Sequence, residues 1–263
     1  MVTIEHSGAG KDPDRLLDLL WRRDRSEEPA RDGRPGPGRR PKLTLDRVIT
    51  AAIELADTEG LAGISMGAVA RSLSVGTMTL YSYVPSKADL LDLMVDQVFA
   101  ERALLAPGKP RPDGWREQLT LYAERTRAMY RRHPWLCQVS AIRPPAGPGT
   151  MAESEYILSA LSRIGLTPQQ MARAAVAIST FVTSTVSLEV QAEQLERATG
   201  QSNDEWWQDR ERLWEEYFDV ERFPTMTYVW EHGGYDSGAH EAAAAGHDFG
   251  LQRLLDGLEA LIR

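Results

Sequence analysis

Two short helical segments separated by only three residues constrain this chain more than any other feature. The first segment, residues 66–73, has apolar side chains at helical spacing: Met66, Val69, Ala70 and Leu73. After the turn Ser74-Val75-Gly76, the second segment places Leu80 and Val84 one helical turn apart, and its other face carries hydroxyls and tyrosines. This spacing predicts a helix-turn-helix, in which the second helix lies in the major groove of DNA.

Capping residues mark the helices on both sides of this turn. Thr44 is an expected N-cap for a first helix over residues 44–59, and Gly60 stands where a C-cap residue belongs. Ser65 is expected to cap the helix that starts at Met66. After Pro85 ends the second short helix, Ser86 and Asp89 form a predicted capping box for a helix over residues 87–105.

The charge of the chain is unevenly distributed. The net charge of −8 argues at first against a nucleic-acid partner, but residues 31–42 are strongly basic. We expect this Pro- and Gly-rich stretch to be an arm that follows phosphates or enters a minor groove. A solvated linker is the alternative interpretation. The basic side chains of this arm are Arg31, Arg34, Arg39, Arg40 and Lys42.

The composition of the chain indicates the cellular compartment in which it works. No apolar run approaches the roughly 20 residues of a membrane span, and the N-terminus lacks the apolar core of a signal peptide. The single cysteine, Cys137, excludes an intramolecular disulfide and fits a reducing environment. We therefore expect a cytoplasmic protein that has no membrane partner.

The motifs around the turn resemble the DNA-binding domain of the tetracycline-repressor (TetR) family of transcriptional regulators. The resemblance covers residues 44–95. It depends on Ile64-Ser65-Met66, Val69-Ala70, the run from Leu73 to Val84 with its Thr-Leu-Tyr core, Ser86-Lys87 and Asp89-Leu90-Leu91. It implies a three-helix DNA-binding domain that acts as a homodimer on a palindromic operator of double-stranded DNA.

The same resemblance implies which residues contact DNA. The recognition helix would present its first residues to bases or phosphates, tyrosines would contact the sugar-phosphate backbone, and helix starts would offer N–H groups to phosphate. The implied contacts are Ser65, Gly76, Thr77, Met78, Thr79, Tyr81, Tyr83 and Lys87. The helix has no Arg, Lys, Asn or Gln between Val75 and Pro85, so methyl contacts, the arm and DNA shape would supply more of the specificity.

The rest of the chain predicts an all-α protein. Helices are expected over residues 13–25, 115–132, 156–164, 167–199, 202–220 and 240–263, with Asp113 as a cap and a loop over 143–149. The helix over residues 13–25 could pack on the rest of the same chain or on a partner subunit, or it could be a weakly ordered terminal helix. We predict an extension and arm (1–43), a helix-turn-helix domain (44–90) and a helical ligand-binding and dimerisation domain (91–263), which resembles that of the tetracycline repressor.

Large apolar side chains with scattered polar ones in residues 115–189 are typical of a small-molecule pocket and also of a helical core. The pocket candidates are Tyr122, Met129, Trp135, Phe181, Thr185 and Glu189. The C-terminal apolar stripe needs a partner helix, either in a second copy or within the chain. Its dimer candidates are Leu251, Leu254, Leu255 and Leu258.

These features predict a ligand-responsive repressor that a small-molecule effector releases from DNA. An aromatic-rich wall suits a large, partly aromatic compound such as an antibiotic or polyketide, and the regulated gene would encode efflux or biosynthesis. No cofactor or metal is expected. An enzyme is disfavoured because the histidines accompany no catalytic motif. A ligand-dependent activator and a helical interaction protein with an unused helix-turn-helix are the remaining alternatives.

Overall fold

A computed structural model of the protein describes residues 12–25, 43–104, 111–140 and 142–262. All regular elements of these residues are helical. The α-helices are α1 (Pro13–Leu20), α2 (Arg22–Arg25), α3 (Leu45–Glu59), α4 (Met66–Ser72), α5 (Thr77–Tyr81), α6 (Lys87–Glu101), α7 (Trp115–Arg132), α8 (Pro148–Leu161), α9 (Pro168–Thr199), α10 (Asn203–Gln208), α11 (Pro224–Glu231) and α12 (Ala239–Ile262).

Helices α3, α4 and α5 form the predicted helix-turn-helix. The side chains of Thr44 and Ser65 cap α3 and α4, by accepting hydrogen bonds from the N–H groups of Arg47 and Ala68. The turn needs a left-handed residue, and Ser74 takes that conformation with φ of 56°. The core of this unit is aliphatic, and its fully buried side chains include Val48, Ile49, Val69, Leu80 and Val84.

Helix α6 leaves this unit and packs closely along α8. Ser86 caps α6 as predicted, but the carboxylate of Asp89 accepts from the Ser86 hydroxyl at 2.6 Å rather than from the Ser86 backbone. A Cβ atom at Gly149 would lie 2.1 Å from the Asp96 carbonyl oxygen, so the two helices need glycine there. This packing places α6 and α8 in one compact unit with the helix-turn-helix.

Two sequence expectations about this region are wrong. Helix α8 begins at Pro148, not at Tyr156, because proline suits the first turn of a helix and Asp96 satisfies the N–H of Thr150. Helix α7 has Gly114 as its N-cap and no side-chain cap, so Asp113 does not cap it.

The described residues divide into two compact units, 1–163 and 164–263. The division follows packing, since α6 belongs with α8 in the first unit. The predicted boundary near residue 90 lies within α6 (Lys87–Glu101).

In the second unit, α12 packs along α9. Thr167 and Gln170 form a capping box at the start of α9, and Gly200 ends it in the left-handed conformation. The predicted helix over 202–220 is wrong: it is divided into α10 and a π-helical turn at Leu213–Tyr217. The segment that follows α9 leaves large side chains exposed, which include Trp214, Tyr217, Tyr228 and Trp230.

Helix α9 is long and apolar enough to span a membrane by length and composition. Serine and threonine interrupt its uncharged stretch between Arg173 and Glu189, and core helices of soluble proteins have the same composition. Its partner α12 covers one of its sides. The sequence expectation concerned an uninterrupted apolar run, and serines and threonines interrupt that of α9.

The C-terminal leucines differ in how much surface they leave available. Leu251 and Leu255, two of the four dimer candidates, are buried within a single chain. Leu254 and Leu258 are half-buried. Apolar side chains that are exposed over more than half of their surface lie on the outer faces of α9 and α12: Val176, Leu188, Leu195, Phe249 and Leu261.

Candidate functional site

Helix α5 separates a buried face from an exposed face over five residues. Leu80 is fully buried against the helix-turn-helix core, whereas 80% of the Met78 surface and 42% of the Tyr81 surface are exposed. Thr77 and Thr79 are exposed beside Met78. Such a helix projects methyl and hydroxyl groups outward from a rigid base, which is the geometry of a helix that enters a groove.

Tyr83, just beyond α5, has a different environment from Tyr81. It is half-buried, and its hydroxyl donates a hydrogen bond to the carbonyl oxygen of Leu43 at 3.0 Å. A contact from this hydroxyl proton to phosphate would require the loss of that bond. Tyr83 therefore joins the recognition helix to the residues that precede α3.

The other predicted contacts lie at the starts of elements. Ser65 and Gly76 are exposed N-caps of α4 and α5, and Lys87 is the first residue of α6, half-buried. The arm residues Arg31, Arg34, Arg39, Arg40 and Lys42 lie outside the described residues.

His133 joins α3 of the helix-turn-helix to the end of α6. Its Nδ1 lies 2.8 Å from Asp57 Oδ1 on α3, and its Nε2 lies 3.2 Å from Glu101 Oε2 on α6. The same Asp57 oxygen accepts a hydrogen bond from Trp135 Nε1 at 2.8 Å. Trp135, a pocket candidate, is thus 1% exposed and already bonded to α3. Sequence reasoning missed Asp57, which is 76 residues from His133 along the chain.

A buried polar cluster lies where α6 ends against α7 and α8. The Arg102 guanidinium donates to Glu153 Oε2 at 2.7 Å, and the Tyr122 hydroxyl donates to Glu153 Oε1 at 2.5 Å. Burial, and then the negative charge of Glu153, raise the pKa of Tyr122 well above its ordinary value, which keeps the phenol protonated. Arg102 and Glu153 gave no sequence signal because they are 51 residues apart. Met129, another pocket candidate on α7, is buried.

Asp96 on α6 holds the start of α8. Its Oδ1 accepts from the backbone N–H of Thr150 at 3.0 Å, and the N–H of Gly149 also bonds to this carboxyl. Burial raises the pKa of Asp96, and these hydrogen bonds offset only part of the increase.

The second unit contains the other three pocket candidates, all on α9. The Thr185 hydroxyl lies 2.6 Å from Nδ1 of His247 on α12, and the Phe181 ring stacks on the imidazole with centroids 5.8 Å apart. Glu189 is buried one turn beyond Thr185. His247, which the sequence analysis did not single out, joins α9 to α12 through these two contacts.

Two family models match the chain. The model described as "Bacterial regulatory proteins, tetR family" matches residues 48–94, which contain α4 and α5. The model described as "Tetracyclin repressor-like, C-terminal domain" matches residues 106–262, more than half of the chain.

Similar proteins support the same assignment. The HTH-type transcriptional repressor DrrR1 of Streptomyces coeruleorubidus is 41% identical over 260 residues, which are 99% of this chain and 90% of that protein. The crystal structure of the Streptomyces coelicolor TetR family protein ActR in complex with actinorhodin is 28% identical, with a TM-score of 0.67, and the match covers 84% of this chain and 99% of that one. The ActR complex with (S)-DNPA is 26% identical, with a TM-score of 0.63, and covers 84% and 100%.

These matches confirm the all-α fold, the helix-turn-helix and the relation to transcriptional repressors rather than to enzymes. The chain belongs to the tetR family of bacterial regulatory proteins, and its C-terminal domain is of the tetracycline-repressor type.

Proposed function

We propose that this protein is a cytoplasmic repressor that binds a palindromic operator as a homodimer and is released by a small molecule. The observation that carries the proposal is the division of α5, where Leu80 is fully buried while Met78 and Tyr81 project outward. Thr77, Met78, Thr79 and Tyr81 are the proposed groove and backbone contacts. The arm would add phosphate contacts and minor-groove contacts.

The proposed effector contacts in the first unit are the buried polar groups at the end of α6. An Arg102, Tyr122 and Glu153 cluster offers a positive donor, a phenol and a carboxylate inside an apolar interior. Groups of this kind fix the orientation of a ligand that is otherwise held by apolar contacts. Helix α6 starts next to the recognition helix α5 and ends in this cluster. An effector that moves the cluster would therefore also move the helix-turn-helix of α3, α4 and α5, which we call the reading head.

In the second unit, Phe181, Thr185 and Glu189 stay effector candidates, and His247 joins them through Thr185. A large, partly aromatic effector is supported by the ActR complexes, in which the related protein holds actinorhodin and (S)-DNPA. The proposed target is a gene for efflux or biosynthesis, because a cell that makes or meets such a compound needs proteins that synthesise it or export it.

Dimerisation is proposed through the outer faces of α9 and α12. These faces expose Val176, Leu188 and Phe249 in the single chain, each by more than half of its surface. Exposed apolar surface of this extent marks an interaction site. Leu254 and Leu258 stand at the edge of the same surface.

A gel shift tests the proposal, with DNA upstream of the protein's own gene and of its neighbour at two salt concentrations. Specific retardation that weakens steeply with salt is expected, since phosphate contacts release counterions. Candidate effectors are then added to the complex, and loss of the shift is expected. Binding that requires the effector would contradict release by the effector, and no binding to any flanking DNA would favour an interaction protein.

A further inference from the structure

The N-terminal helices α1 and α2 contact three separate parts of the first unit. The indole Nε1 of Trp21 donates to the carbonyl oxygen of Ala146 at 2.8 Å, in the loop before α8. Arg22 and Arg23 both pair with the Asp46 carboxylate in the first turn of α3. Leu20 is buried at 4% exposure, where α1 packs on α6. We call residues 13–25 the N-terminal strap.

The anchor at Ala146 is itself connected to α6. Thr150 donates through its hydroxyl to the Pro145 carbonyl and through its backbone N–H to Asp96. The loop that receives Trp21 is therefore fixed on both sides, by the strap and by α6. The contacts form a closed ring that runs from α3 through the strap and the loop to α6, which packs back on α3.

Arg22 has the central place in this ring. It bonds to Asp46, donates to the Leu19 carbonyl at 2.8 Å and acts electrostatically on Asp96 of α6. The side chain is about three-quarters buried, which fixes its position better than that of an ordinary surface arginine. A guanidinium that is bonded to the Asp46 carboxylate of α3 and to the Leu19 carbonyl of α1 restrains the position of α1 relative to α3.

We infer that the strap is a positioning element for DNA binding, in which Trp21, Arg22 and Asp46 hold the reading head at one orientation relative to α6. The inference rests on the proposed DNA-binding function. Without the strap, the reading head samples other orientations. The apparent operator affinity then falls in proportion to the fraction of molecules that remain in the binding-competent orientation.

The substitution Asp46→Asn separates positioning from simple electrostatics. Removal of a negative charge near DNA strengthens binding by charge alone, whereas loss of the anchor weakens it. Glu54→Gln is the matched control, because Glu54 is exposed on the same helix and its substitution removes the same negative charge. We expect Asp46→Asn to bind the operator about threefold to fivefold more weakly than Glu54→Gln, as for loss of a partly exposed ion pair. Equal or tighter binding would overturn the inference.

Trp21→Phe provides a second variant that changes no charge. It keeps the ring and removes the N–H donor to Ala146, so we expect operator binding to weaken about twofold to threefold while nonspecific DNA affinity stays unchanged. A purely structural role would lower the thermal midpoint without this loss of specific over nonspecific binding.

Hydrogen exchange without DNA tests the strap independently of operator binding. Asp46→Asn and Trp21→Phe are expected to speed exchange in α1 and in the loop before α8, while the amides of α9 and α12 remain at the wild-type rate. Unchanged exchange in the first unit would refute the strap. Wild-type protein that binds no DNA would refute the proposed function instead, so the two failures are distinguishable.

Discussion

The Tyr83 hydroxyl donates to the carbonyl oxygen of Leu43, whereas Tyr81, two residues earlier, is exposed and has no such internal bond among the contacts described for it. We expect Tyr83→Phe to lower the free energy of unfolding by about 1 kcal/mol, since it removes one internal hydrogen bond. Tyr81→Phe should leave stability unchanged and weaken operator binding about threefold to tenfold. Urea denaturation and gel shifts measure the two effects, and an exchange of roles between the tyrosines would contradict the assignment.

Met78→Ala is expected to weaken operator binding by about fivefold to tenfold, because its exposed side chain is available for apolar contact with thymine methyl groups. Its thermal midpoint should equal that of the wild type, since the side chain packs on little in the free protein. Met151→Ala on α8 is the control: it is also exposed, and we expect normal affinity. Equal affinities of the two variants would exclude Met78 from the interface.

Glu153→Ala should cost about 3 kcal/mol of stability, because Arg102, at 1% side-chain exposure, is left without its carboxylate partner. Glu155→Ala on the same helix removes an exposed carboxylate and should change stability by less than about 0.5 kcal/mol. Chemical denaturation of both variants measures the difference. Similar stabilities would show that Arg102 finds another partner.

Gly149→Ala should destabilise the protein by about 3 kcal/mol, because the new methyl group would meet the backbone of α6 at Asp96 and Ala100. Gly246→Ala in α12 meets nothing within 4 Å and should stabilise by about 0.5–1 kcal/mol through helix propensity. Thermal midpoints of the two variants are expected to move in opposite directions. A tolerated alanine at Gly149 would mean that α6 and α8 can separate freely.

Asp96 gives a pH dependence with a definite sign. Burial raises its pKa in the folded protein above the ordinary value of 3.8, so its contribution to stability is complete below 3.8 and declines as pH rises through the raised pKa. Asp96→Asn removes this titration. The stability of the wild type relative to the variant should therefore decrease as pH rises above 3.8, as measured by urea denaturation. A difference that is constant with pH would contradict the raised pKa.

Local signals predicted the helix-turn-helix and most helix starts. Thr44, Ser65 and Ser86 cap helices where the sequence placed them, because a capping side chain bonds to a backbone group only a few residues away. The exposed face of α5 followed in the same way from the spacing of Leu80 and Val84.

Tertiary effects explain the errors. The early start of α8 depends on Asp96, 54 residues before Thr150, and the Pro-Gly composition of 143–149 indicated a loop. The division of 202–220 has no proline or glycine to mark it. The pairs Asp57 with His133 and Arg102 with Glu153 depend on how helices pack, which periodicity within one helix does not contain.

The separation of 125 residues between Trp21 and Ala146 also fixes an order of events during synthesis. At about 5–20 residues per second, the ribosome needs roughly 6–25 s to reach the acceptor loop after it has added the tryptophan. The residues of α3 and α6 are complete before then, so the Arg22 and Arg23 pairs with Asp46 and the packing of α1 on α6 can form first. The Trp21 contact to Ala146 closes the ring last, and a chain truncated before the loop would keep the strap on α3 without its second anchor.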